Sequence, residues 1–123
     1  MDVKKRLWYF WGSFFTVLIG FRLFLSLSPF TNLNVGGYNI HHLFIGAVLM
    51  LGTIPFLIFG RFNALTLSLT GIGSALVADE LFFLILTDGS DLSYLSPISW
   101  WGAGIFSLLL LIITGGVYYH DQC

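Results

Sequence analysis

Charge is what this sequence has least of. Asp, Glu, Lys and Arg together make up 9 % of its 123 residues, against about 25 % in an ordinary water-soluble domain. Such a chain cannot cover itself with a hydrated surface. The formal net charge of −1 gives no basic surface for a nucleic-acid partner. Cysteine is nearly missing as well. Cys123 is the single one, so no disulfide forms within the chain and nothing marks an oxidising compartment. There is no glycine-rich phosphate loop, no GxSxG elbow and no HExxH pair, so the common signatures of phosphate binding, serine hydrolysis and zinc proteolysis are lacking. Cys123 stands at the very end of the chain and is a poor candidate nucleophile.

What is present is apolar. Hydrophobic residues make up 57 % of the chain and the mean hydropathy is +0.90. The apolar residues fall in four stretches, at approximately 7–28, 40–60, 65–86 and 99–119. Each is about as long as the ~20 residues that cross a bilayer as a helix. They are continuous, which argues against the ~10-residue alternating segments of a membrane β-barrel. The expected fold is all-α: an integral membrane protein of one domain, with four transmembrane helices in an antiparallel bundle. Short connections make consecutive helices neighbours. Basic residues followed by an apolar run resemble a signal peptide, but the run is too long and no small-residue cleavage site follows, so it reads as an uncleaved first span.

The basic residues set an orientation. Lys4, Lys5, Arg6 and Arg61 fall on one side of a four-span arrangement, and neither opposite connection contains Lys or Arg. The positive-inside rule then places both termini in the cytoplasm and Asp88 and Asp91 outside. Trp8, Tyr9 and Trp11, Trp100 and Trp101, and Tyr118 and Tyr119 sit where interfacial belts belong. Small residues mark the expected helix contacts: Gly46 and Thr53, Gly71, Ala75 and Ala78, and Gly102, Gly104, Gly115 and Gly116. Asn39 reads as the N-cap of the second helix and Ser99 as that of the fourth.

Five ionisable residues interrupt the apolar spans: Arg22, His41, His42, Asp79 and Glu80. Each costs roughly 2.5–3.5 kcal/mol at the centre of a span, so they are functional candidates. Arg22 lies six residues before Ser28 and Asp79 seven before Leu86, hence roughly 9 and 10 Å from the outer ends of their spans at 1.5 Å per residue. His41 and His42 open the second span from the same side. All five therefore gather in the outer third. Asp79 shares a face with Gly71 and Ala75, and His42 with Gly46, so these two point inward; Glu80 and His41 are each turned about 100° away.

This constellation admits three chemistries. His41, His42, Asp79 and Glu80 offer nitrogen and oxygen ligands suited to a divalent metal such as Zn, Mn or Fe. Alternatively, Arg22, His42, Asp79 and Glu80 bind an ion or a small polar ligand, in a transport or proton-coupled role. The third reading is structural: Arg22 pairs with Asp79 and His42 with Glu80, and the pairs clamp the helices. A metal-dependent enzyme follows only from the first. Asp88 and Asp91 with Ser93 and Tyr94 are candidates for the rim of an entrance, while His120 reads as solvated.

In size and number of spans the chain resembles the small multidrug exporters, but their first span carries a glutamate where this one carries Arg22. The intramembrane metal hydrolases of the ceramidase and adiponectin-receptor type are similar only in their use of His, Asp and Ser across helices. No residue is carried over from either. The lipid bilayer is the expected partner, together with further copies of the chain or a larger membrane complex, since four short helices make a thin bundle. In the rival functional reading the chain is a non-catalytic accessory subunit of such a complex.

Overall fold

A computed structural model of the chain describes residues 2–27, 33–35, 38–86 and 97–122. Among the described residues four helices carry the fold: α1 (Val3–Leu27), α2 (His42–Ile58), α3 (Ala64–Leu86) and α4 (Pro97–Gln122). Between α1 and α2 lies a two-stranded antiparallel ribbon, β1 (Leu33–Val35) and β2 (Tyr38–Ile40), with Asn34 opposite Asn39.

The ends of the helices follow from local chemistry. Asp2 accepts the amide N–H of Lys5 at 2.8 Å and caps α1, so the helix takes in the basic residues before Leu7. The α2–α3 turn is closed on both sides. Gly60, at φ 72, turns the chain out of α2 in a conformation that glycine adopts without strain. The Gly60 and Arg61 amides return to the carbonyls of Leu57 and Phe56 at 3.0 and 2.9 Å, a Schellman arrangement that satisfies the last carbonyls. Asn63 Oδ1 then accepts the Thr66 amide at 2.9 Å and Thr66 Oγ1 accepts the Asn63 amide at 3.1 Å, a reciprocal cap for α3. Pro97 opens α4 at the first helical position, where its missing N–H costs nothing.

Two expected caps are corrected. Asn39 lies in β2, and the N-cap of α2 is His41, with φ −71 and ψ 146 and no capping bond from its own side chain. Ser99 is the third residue of α4, inside its first turn, because Pro97 starts the helix earlier.

α3 is the hub, against which α1, α2 and α4 all pack. The contacts of α2 and α1 with α3 are backbone against backbone. A Cβ built on Gly46 would stand 2.6 Å from the Gly73 carbonyl oxygen, and one on Gly73 would stand 2.8 Å from that of Gly46. A Cβ on Gly71 would strike the Phe10 carbonyl of α1. Only glycine permits such approach, and without a hydrophobic force between helices in lipid it is this closeness that supplies the dispersion contact. Phe14 and Leu18 of α1, Ala75 and Ala78 of α3 and Ala103 of α4 form the small core around that hub. The expected glycine contact of α4 is corrected at three positions: Gly104, Gly115 and Gly116 have nothing within 4 Å of a built Cβ and face outward.

The exterior is apolar. Leu23, Val48, Leu51, Ile85, Leu108 and Ile112 are each more than half exposed. In water that surface would cost about 25 cal/mol per Å²; against acyl chains it costs nothing comparable. Three helices, over Val3–Leu27, Ala64–Leu81 and Pro97–Asp121, are long and apolar enough to cross a membrane. α2 is apolar but has 17 residues, at the lower limit of the ~17–25 that span. It is shorter than the expected 40–60 because β2 occupies its start and the Gly60 turn ends it.

Candidate functional site

The antiparallel order of the helices brings four of their ends together. Arg22 stands five residues before the end of α1 and Asp79 and Glu80 in the last two turns of α3, while His42 opens α2 and Ser99 lies in the first turn of α4. All five residues singled out in the sequence meet here. Arg22, Asp79 and Glu80 are 3 %, 1 % and 2 % exposed, so each must find its partners within the protein.

Arg22 holds α1 to α3 and α4. Its Nε donates to Asp79 Oδ1, and its Nη2 donates to the Asp79 carbonyl at 2.8 Å and to the hydroxyl and carbonyl of Ser99 at 2.7 and 3.1 Å. The guanidinium also stands 4.9 Å from the centre of the Trp100 ring, where the ring's negative face attracts a cation. Beside it Ser26 Oγ donates to the Arg22 carbonyl at 2.7 Å, which satisfies the hydroxyl within its own helix.

His42 holds α2 to α3. Its Nε2 is 2.7 Å from Asp79 Oδ2 and its Nδ1 is 3.0 Å from Glu80 Oε1. One imidazole thus bridges two adjacent carboxylates, one at each ring nitrogen. On the α1 side its ring centre lies 5.1 Å from that of Phe21. Glu80 is fully engaged: Oε1 also accepts the Leu43 amide at 3.0 Å, and Oε2 is 3.1 Å from His41 Nδ1. The bond to Leu43 is the cap that α2 lacks in its own sequence. A carboxylate of α3 satisfies an orphan amide at the positive end of α2, the favourable pairing of negative charge with a helix N-terminus.

The expected angular conflict does not arise. His41 and His42 differ by 100° only if both are helical, and the extended backbone of His41 lets it turn onto Glu80 from outside the helix. Asp79 and Glu80 both reach α2 because His42 presents a nitrogen to each. Among the described residues no buried side-chain nitrogen or oxygen lacks a hydrogen-bond partner. Among them, too, no group of three or more His, Cys, Asp or Glu is arranged to hold a metal ion; His41, His42, Asp79 and Glu80 point their donor atoms at one another.

Ser99 and Trp100 are part of the cluster and were missed as such in the sequence. Pro97 was the available signal, since a helix starting there places Ser99 in the first turn, at the depth of Arg22. His120 is 90 % exposed and stands 3.5 Å from Asp121, away from the cluster. Asp88, Asp91, Ser93, Tyr94 and Cys123 lie outside the described residues. No protein-family model, no curated protein and no solved structure matches the chain.

Proposed function

We propose that this is a four-span integral membrane protein with both termini in the cytoplasm, whose outer-third cluster is an ion site, and that the ion is a proton. The observation that carries the reading is the bridge at His42. Both ring nitrogens stand within hydrogen-bond distance of carboxylate oxygens, and a neutral imidazole has only one N–H to give. The carboxylates are already acceptors: Asp79 from Arg22, and Glu80 from Leu43. The bridge is complete when His42 carries both protons. Arg22 and His42 then offset the charges of Asp79 and Glu80. Losing that proton turns a lone pair towards a carboxylate and leaves net negative charge in a low-dielectric site.

The topology rests on the distribution of the cations. Arg6 lies 4.5 Å from the centre of the Phe62 ring, so the start of α1 and the α2–α3 turn share one end of the bundle, with Lys4, Lys5 and Arg61. That end is the cytoplasmic one by the positive-inside rule. The rival reading, a helix clamp in an accessory subunit, is favoured by the complete pairing of the cluster and by its reach across all four helices.

Infrared difference spectra of the protein in nanodiscs, stepped from acid to alkaline pH, separate the two. A proton site predicts that the wild type releases a proton with a change in carboxylate absorption, and that His42→Gln keeps its helices but loses that step. A clamp predicts no such step, and unfolding in the variant. If His42→Gln does not fold, Glu80→Gln serves in its place, with a displaced titration as the outcome expected of a proton site.

A further inference from the structure

The opposite end of the molecule carries a second feature, which depends on the membrane reading but not on the proton. An open groove of about 580 Å³ runs between α1 and the end of α4. It is lined by Trp8, Trp11, Phe15 and Tyr118, with Gly12 and Lys4 among the residues that bound it. Gly12 has no atom within 4 Å of a built Cβ, so the space above it is open. Lys4 is joined at this end by Lys5, Arg6 and Arg61, and the described carboxylates there are Asp2 and Asp121. Four cations less two anions leaves an excess of two positive charges, apart from His120. Asp2 is in part engaged in capping α1, and Asp121 faces His120.

We infer that this groove is a binding site for an anionic phospholipid of the cytoplasmic leaflet. The aromatic lining and the open space at Gly12 take an acyl chain, and Lys4, on the first turn of α1, meets the phosphate. Charge complementarity selects the occupant: a zwitterionic lipid fills the same walls but gains nothing from the excess of cations, whereas each basic residue near an anionic surface contributes about 1 kcal/mol. Trp8 and Tyr118 lie at the height where amphipathic rings meet headgroups, so the lipid enters with its headgroup level with Lys4.

The test uses tryptophan quenching by brominated lipids. The full chain carrying Trp100→Phe and Trp101→Phe, which leaves Trp8 and Trp11 as its only tryptophans, is reconstituted in vesicles of phosphatidylcholine. Brominated phosphatidylglycerol or brominated phosphatidylcholine is then titrated in. The expected result is stronger quenching by the brominated phosphatidylglycerol. Lys4→Gln should reduce that preference about fivefold, the equivalent of one basic contact. Gly12→Leu should abolish it without unfolding the protein, because the leucine enters empty space. Equal quenching by the two lipids, or a preference unchanged in both variants, overturns the lipid site and leaves the membrane reading intact. Absence of quenching by either lipid would instead overturn the membrane reading on which the site rests.

Discussion

α2 and α3 are joined twice, by different chemistry at each place. At mid-depth they meet backbone to backbone at Gly46 and Gly73. One turn along α2 towards its N-terminus they meet through His42, Asp79 and Glu80. The glycine contact is indifferent to pH and to charge, and it needs only that nothing be added. The polar contact needs every partner in place. The first lets the helices approach; the second fixes which residues face each other. A glycine pair tolerates sliding along the interface, whereas a carboxylate that must meet both an imidazole nitrogen and the Leu43 amide does not.

The comparison can be broken from the polar side first. Asp79→Ala removes a carboxylate shared by Arg22 and His42 and leaves Glu80 alone against two cations, an excess of one buried positive charge; the expected loss is about 3–5 kcal/mol, the range for breaking a buried ion pair from one side. Unfolding in mixed detergent checks it. Gly46→Leu attacks the other contact and should cost about 1–3 kcal/mol, as overpacking does, by the same assay. The pH dependence should separate the two contacts. On the proton reading His42 holds both ring protons at neutral pH and gives one up as pH rises, so wild type should weaken towards alkaline pH. His42→Gln should lose that dependence, while Gly46→Leu should keep it. The charged and titratable groups that face His42 are Arg22 from α1, Asp79 and Glu80 from α3 and its neighbour His41, and α4 contributes the uncharged Ser99 and Trp100 to the cluster. Ser99→Ala removes one hydroxyl and keeps the carbonyl that Arg22 also uses, for a loss of about 0.6 kcal/mol, the average for a polar contact in a membrane bundle. Gly115→Leu should change nothing measurable, since its surroundings are open.

The sequence carried the coarse plan because lipid solvent imposes a simple rule on length and polarity. Three helices long enough to span lie in the expected stretches, and the five ionisable residues meet because helix rise converts sequence distance directly into depth. Residue-level detail was legible where one helix decides it: Asp79 on the face of Gly71 and Ala75, and His42 on that of Gly46. It failed where two elements decide it together. Asn39 has the chemistry of a cap, but strand pairing with Asn34 claims it and Glu80 supplies the cap from another helix. His41 falls outside the 100° rule because its backbone is extended. The glycines of α4 satisfy the small-residue pattern, yet three of them face outward, since no single sequence says which side of a helix its neighbours occupy.

The most direct test of the proton reading is the ¹⁵N spectrum of His42 in the protein labelled at histidine, with His41→Gln and His120→Gln to isolate the signal. The bridge between Asp79 and Glu80 predicts that both ring nitrogens carry protons at neutral pH, and that one is lost as the pH is raised. A single protonated nitrogen at neutral pH, unchanged through the titration in a folded protein, would contradict it.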